Sequence, residues 1–270
     1  MQYDIYRKRG EYVLKNHGIR NEYLFVHNIN GRKFRYLNFL LQDLVKYLFP
    51  QIQKNDILKC YKNVDYEKGD ICIEFDGVVK YVSIKMGHGN SVHGERIEKF
   101  KKFLSELNVD NDTINGILKY HYGDGTLDGS GQKRISVEEY KEQNKDEIDH
   151  INAVINSTFI INKVINRFII KGTQNHLNRI DVLVYGTYDN FLFVTREEIY
   201  DYILSKKDNF SSSIHFSILT YQPESRVLNY DTNCEYQRHW IKIKWYNLED
   251  NIMEILNNRV IKTTRYTVNN

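Results

Sequence analysis

The sequence predicts an α/β protein, and three observations carry that reading. Apolar residues recur at helical spacing over 34–49, 92–107 and 148–168, and at alternating spacing over 69–87, 179–186, 214–221 and 240–246. The two kinds of segment are interleaved along the chain and are not sorted into separate blocks. Asp76-Gly77, the dipeptide that two-residue primed turns prefer, joins two alternating runs into a hairpin.

Composition bounds the function classes. A chain of 270 residues buries about three quarters of the surface its unfolded form exposes, so it needs no disulfide or structural metal to hold its core. Lys and Arg total 38 against 35 Asp and Glu, a net +3. That excludes a protein that coats polyanions but leaves room for a local nucleic-acid groove. Two prolines and 15 glycines argue against disordered linkers, and 21 tyrosines suit wet interfaces. Cys60, Cys72 and Cys234 form no CxxC pair and read as free thiols in a reducing cytosol. The opening MQYDIYRKRGEYVLK has no apolar signal core. No apolar run approaches the roughly 20 residues of a membrane span. A cytoplasmic protein without a membrane partner is expected. Motifs for serine hydrolases, P-loop NTPases, HExxH zinc enzymes and dinucleotide binding are missing, so no nucleotide cofactor is expected.

In chain order, residues 1–33 are polar and basic. Phe34, Leu37, Phe39, Leu40, Leu41, Leu44, Val45 and Leu48 predict a helix over 34–49, ended by Pro50. A strand is expected near 57–64, then the hairpin over 69–87. The loop Gly87-His88-Gly89-Asn90 leads into a helix over 92–107 with the stripe Ile97, Phe100, Leu104 and Leu107. Residues 108–135 read as irregular. Ser136-Val137-Glu138-Glu139 is a capping box. Ile148, Ile151, Ile155, Phe159, Val164 and Phe168 predict one long helix. A strand over 179–186, a helix from Thr195 to about Leu204, and strands over 214–221 and 240–246 complete the chain. The expectation is a single domain over 1–270. Its core covers about 34–107 and 179–246, with a helical insertion at about 108–175 and a C-terminal strand pair.

The hairpin gathers chemistry. With Asp76-Gly77 as the whole loop, Phe75 pairs with Val78 and Asp70 lies opposite Ser83. Directly opposed residues share a face about 5 Å apart, and Lys85 is a diagonal step away. The other face carries Ile71, Ile73, Phe75, Val78, Val82 and Ile84. An acid and a lysine held together at strand ends suit phosphodiester hydrolysis. The acid offers oxygen to a hard divalent cation, and the lysine orients the nucleophile or offsets developing negative charge. A surface Asp–Lys pair on a solvated sheet would look the same in sequence.

Asp70 followed by Ser83-Ile84-Lys85, within the order helix, three strands, helix, resembles the PD-(D/E)xK nuclease superfamily. Its pattern is an acid at the start of the second strand and acid-x-lysine at the end of the third. The resemblance covers about residues 34–107. Residue 69 is Gly where the pattern has Pro, and residue 83 is Ser where it has an acid. Some restriction endonucleases of this superfamily carry Ser-x-Lys and take the missing carboxylate from the following helix. Here Glu95 and Glu98 are available on one helix face, with Glu95 a turn nearer Lys85. The resemblance implies a restriction-endonuclease-like core and a metal-dependent endonuclease on double-stranded DNA, of the restriction or phage-defence type. It implies Mg²⁺, replaceable by Mn²⁺, held by Asp70, Glu95 and the Ile84 carbonyl. Lys85 would stand at the attacking water and Ser83 would be a hydrogen-bonding neighbour. A homodimer is expected, because cutting both strands usually requires two active sites.

His93 and Asn90 by the Gly-rich loop, and Arg238, Lys242 and Lys244, are the expected DNA contacts, positioning the duplex without reading it. Two other readings remain open: a non-catalytic DNA- or RNA-binding module on the same scaffold, and a protein-interaction domain with an accidental Asp–Lys pair.

Overall fold

The computed structural model describes residues 5–8, 11–14, 17–63, 68–87, 91–173, 179–208, 211–224 and 232–268. β1 (Ile5–Lys8) and β2 (Glu11–Leu14) form an antiparallel pair, followed by helix α1 (His17–Ile29). A 3₁₀ turn at Phe34–Tyr36 precedes α2 (Phe39–Leu48). The helix starts later than periodicity alone predicts because Asn38 caps it, accepting the Leu41 N–H at 2.8 Å. β3 (Lys59–Lys62), β4 (Ile71–Phe75) and β5 (Val78–Lys85) run antiparallel, with Phe75 opposite Val78 and Ile71 opposite Val82. That is the register a two-residue loop dictates. Asp76 and Gly77 have φ of 50° and 73°, the positive pair a primed turn needs.

The helix expected over 92–107 begins instead with a strand, β6 (Ser91–Arg96), and α3 starts only at Ile97 (Ile97–Glu106). Residues 108–135 are not wholly irregular. Helix α4 (Asn111–Tyr122) is capped by Asp110, which accepts the Thr113 N–H at 2.8 Å, and ends at Gly123 with φ 62°. Ser136 caps α5 (Val137–Gln143), as its capping box predicts. The long helix is broken. α6 (Lys145–Ile155) stops at Asn156, Ser157 caps α7 (Thr158–Ile165), and a π-helical stretch covers Asn166–Lys171. β7 (Val182–Thr187) and β8 (Asn190–Thr195) pair antiparallel. α8 (Arg196–Ser205) opens on a reciprocal cap between Thr195 and Glu198. β9 (His215–Phe216) and β10 (Leu219–Pro223) divide the expected strand at Ser217, whose φ is 56°. A 3₁₀ segment, Thr232–His239, leads to β11 (Trp240–Lys244). The chain continues into α9 (Leu248–Val268), which has no counterpart in the sequence reading.

The chain divides into two compact units. One comprises residues 1–89, 170–199 and 249–270, the other 90–169 and 200–248. The first unit holds a five-stranded sheet in the order β3-β4-β5-β7-β8, antiparallel except for the parallel β5–β7 pair. α1 and α2 cover one face. Phe25, Ile29, Leu41, Leu44, Val45 and Leu48 pack on Ile71, Ile73, Val82, Ile84, Val182 and Val184. Asp181 fastens β7 to β5: its carboxylate accepts the Tyr81 N–H at 2.9 Å and pairs with Lys80 at 3.1 Å.

The second unit holds the sheet β6-β11-β10-β9 with α3 to α7. Its core is aromatic, with Phe100 stacking near Phe103, Phe168, Phe216 and Tyr221. The strand over 240–244, β11, lies between β6 and β10 in that sheet. β10 and β11 pair antiparallel, as the expected C-terminal strand pair, and β11 also pairs with β6. No single helix among the described residues is long and apolar enough to cross a membrane.

Candidate active site

The site is built where β4 ends and β5 continues. At Asp70 the ladder departs from regular pairing. The Asp70 N–H bonds the Val82 carbonyl at 2.8 Å, and its side chain takes the Ile84 N–H at 2.6 Å in place of a backbone partner. The same oxygen, Oδ2, accepts the Ser83 hydroxyl at 3.1 Å and lies 3.9 Å from Lys85 Nζ. Among the described residues, Oδ1 accepts no hydrogen bond. One carboxylate oxygen is thus anchored by three groups and the other is free to bind. In a strand the N–H and C=O of one residue point to the same side, so the Ile84 carbonyl faces the side that Asp70 occupies.

The pair is not an ordinary surface pair. The Asp70 and Lys85 side chains are only 24% and 28% exposed. The polar face of the hairpin is not a solvated face either, because Ser83, Cys72 and Leu183 are all buried. The reactive groups lie at the end of the sheet, not across it. Lys85 is next to Tyr185 in the parallel pairing. The Tyr185 hydroxyl donates to Glu249 at 3.0 Å and lies 3.3 Å from the Gly87 carbonyl. Burial, then Glu249, pushes the Tyr185 phenol above its ordinary pKa, so it stays protonated. Burial pushes the Cys60 thiol up to about 12, so it is protonated near neutral pH.

Two residues that sequence reasoning missed complete the neighbourhood. Lys62 ends β3 opposite Ile71, and the next residue, Asn63, donates its N–H to the Asp70 carbonyl at 3.1 Å. Asn63 Nδ2 also holds the Gly69 carbonyl at 3.0 Å. Lys62 therefore flanks Asp70 one residue along the neighbouring strand. Its ammonium pairs with Glu22 of α1, and both side chains are largely buried, at 22% and 14% exposure. Burial lowers the Lys62 pKa, and the charge of Asp70 opposes that shift. No motif marks Glu22: it lies on an amphipathic helix remote in sequence, and only tertiary packing brings it to Lys62.

The other residues singled out from sequence belong to the second unit or lie outside the described residues. Glu95 stands on β6, not on a helix, and is 4% exposed. Arg167 grips both its oxygens, at 2.6 and 3.2 Å. Burial opposes its charge, but His93 and Arg167 outweigh that and hold the carboxyl below its usual range. Glu98, in the first turn of α3, lies 3.4 Å from Arg96. His93 is 9% exposed and stacks on Phe168 with ring centroids 4.7 Å apart, so it is a core residue of the second unit. Asn90 lies outside the described residues, as does His88. Arg238 donates to the Gly129 carbonyl at 3.2 Å. Lys242 pairs with Glu224, and Lys244 lies 5.4 Å from the centre of the Tyr246 ring. The structure joins Asp70, Ser83, Ile84 and Lys85 within one unit. Among the described residues, no three His, Cys, Asp or Glu side chains are grouped to hold a metal ion.

No known protein family matches the sequence, and no curated protein matches it. A solved structure does match in shape. It is the crystal structure of the restriction endonuclease MspI in complex with its cognate DNA. The two share a TM-score of 0.50 and 12% identity over 83% of this chain and 87% of that one. The fold is restriction-endonuclease-like. On this restriction-endonuclease-like scaffold the Asp70–Lys85 pair sits at a sheet end, and the likeness shows the fold alone, since so few residues are shared.

Proposed function

We propose that the protein is a metal-dependent endonuclease acting on double-stranded DNA, of the restriction or phage-defence type. The observation that carries this reading is the constellation at the end of the hairpin. Asp70 is anchored through one oxygen by Ser83 and the Ile84 N–H, its other oxygen is free, and Lys85 lies 3.9 Å away. The restriction-endonuclease-like fold and its DNA-bound structural neighbour support the same reading.

The donor set suits Mg²⁺ or Mn²⁺. Asp70 Oδ1 and the Ile84 carbonyl are hard oxygen donors, and Mg²⁺ typically keeps several waters and uses only one or two carboxylates. The absence of a three-acid cluster among the described residues is compatible with that habit. When bound, such an ion lowers the pKa of its water and offsets charge on the reacting phosphate. Lys85 orients the attacking water and stabilises the negative charge that grows on the phosphoryl oxygens. Ser83 and the Ile84 N–H fix the Asp70 carboxylate, so no side-chain ordering remains for the moment of reaction.

Glu95 is not required in this scheme. As a metal ligand it would have to leave Arg167, at the cost of an unpaired buried cation. The cytoplasmic setting and the homodimer belong to the same proposal.

Plasmid DNA incubated with the protein should be cut with Mg²⁺ or Mn²⁺ and left intact with EDTA. Lys85→Ala should lower cleavage by at least about a hundredfold, the low end for a positioned proton-transfer or charge-stabilising group. Its fold should be unchanged by circular dichroism. Wild-type rates in folded Lys85→Ala would refute the assignment. Ser83 in place of an acid favours one rival, a nucleic-acid-binding module without catalysis. That rival predicts a gel shift in Ca²⁺ and no cut with any divalent ion.

A further inference from the structure

We propose that Tyr36 and Phe39, with Arg32, Lys33 and Arg35 around them, form a base-stacking surface for unpaired nucleotides of a DNA substrate. This rests on the DNA reading above and adds to it a preference for distorted or partly single-stranded DNA.

Charge comes first. Between Glu22 and Asp43 the chain has no acid, and Arg32, Lys33 and Arg35 all fall in that stretch. The Arg35 N–H donates to the Lys54 carbonyl at 3.1 Å, which sets the exposed Lys54 beside the segment. Asp43 is the sole acid of α2, and Asp56 already accepts the Gln53 N–H at 2.8 Å. Shape comes next. Leu37 is buried in the core, while Tyr36 and Phe39 on either side of it are 62% and 74% exposed. That exposure is built into the backbone. The Tyr36 N–H bonds the Lys33 carbonyl at 2.9 Å, and the Gln42 side chain holds the Leu37 carbonyl at 2.8 Å. Asn38 caps α2 and donates to the Tyr188 carbonyl at 3.0 Å. Phe39 thus forgoes the folding free energy that a buried ring contributes. The Arg35 guanidinium lies 4.7 Å from the centre of the Tyr36 ring and donates to its hydroxyl at 2.8 Å, so a phosphate-binding cation is fixed next to a flat apolar face. Cations for the backbone beside rings for the bases are how single strands are held without reading their sequence. A paired duplex offers its phosphates but hides its base faces in the stack, so exposed rings select unpaired bases. A two-fold contact with a second copy would instead bring these cations against one another. Tyr188 lies in the turn after β7, and β7 runs parallel to β5 with Tyr185 opposite Lys85. The Asn38–Tyr188 bond therefore places Phe39 at the end of the sheet toward which β5 carries Lys85.

The test is fluorescence anisotropy in Ca²⁺ on the full chain, with labelled oligo-dT, a paired duplex, and the same duplex carrying a central bubble of unpaired bases. The wild type should bind the bubble more tightly than the paired duplex. Tyr36→Ala and Phe39→Ala should each weaken bubble and oligo-dT binding at least about fivefold, the low end for losing one stacked base. Both should leave the paired duplex unchanged, and Phe39→Trp should keep wild-type binding. Arg35→Gln should weaken binding of all three and lower the salt slope by about one. Melting curves check folding, and if one alanine variant does not fold the other decides. Equal affinity of the wild type for bubble and paired duplex overturns the proposal, as does wild-type bubble binding in a folded alanine variant. A dimer that Phe39→Ala dissociates on size exclusion, with bubble binding unchanged, would assign the rings to a second copy and overturn it too. If none of the three DNAs binds, the DNA reading itself falls. If the paired duplex binds and is cut while the bubble gains nothing, only the stacking role falls.

Discussion

At the scale of single residues, the Glu95–Arg167 pair tests what a buried charge contributes. Glu95 is 4% exposed and Arg167 binds both its oxygens, with its guanidinium over the Phe103 ring at 4.5 Å. Removing one partner leaves the other charged and buried, a loss of about 3–5 kcal/mol. Arg167→Met and Glu95→Gln should each lower the urea midpoint strongly. The double variant should lose far less than the sum, since neither charge is then stranded. Additive losses would mean that the pair is not coupled. Because the second unit would be weakened as a body, any fall in cleavage by Glu95→Gln should track its loss of folded protein.

At the scale of elements, the β7–β8 hairpin depends on Gly186. Its φ is +125°, and a Cβ there would stand 2.3 Å from the Asn190 carbonyl oxygen. Neither the conformation nor the close approach suits a side chain. Gly186→Ala should cost about 1–3 kcal/mol in the denaturant midpoint. It should also loosen Asn21, which bonds the Gly186 carbonyl. An unchanged midpoint would mean that the hairpin has an alternative turn. Caps at helix starts follow the same local logic. Asn38, Asp110, Ser136 and Ser157 each accept an N–H from the first turn of their helix.

At the scale of the whole molecule, acid should unfold the protein by a defined route. Burial raises the pKa of Glu95 and Glu198, but the partners of each more than reverse that: His93 and Arg167 for Glu95, Arg259 and Thr195 for Glu198. Both carboxyls are therefore held below the usual glutamate range. Each carboxylate contributes stability that is present above the unfolded pKa and is lost as pH falls through the native one. Urea midpoints should be flat above about pH 5.5 and fall below about pH 4.5. Arg167→Met should flatten that fall, because the Glu95 share is gone. A midpoint that rises on acidification would contradict the assigned partners. Size-exclusion chromatography with a duplex in Ca²⁺ tests the proposed dimer, and a one-to-one complex with a single chain would count against it.

Local chemistry was legible in the sequence where the chain itself enforces it. The Asp76-Gly77 turn dictates the hairpin register, and that register brings Asp70 to Ser83 and Lys85. Capping boxes mark α5 and α8. What only the tertiary structure decided depends on partners remote along the chain. The stretch 91–96 adjoins the helical stripe that starts at Ile97 and reads as its first turn, yet it is a strand because β11 is there to pair with it. Glu95 looked like a free acid on a helix, and Arg167, far along the chain, binds it. Glu22 and Lys62 carry no motif, and they pair only because α1 packs its apolar stripe on the sheet that holds Asp70. A turn or cap is determined by a few adjacent residues, whereas strand partners and ion pairs are settled by the burial of the whole chain.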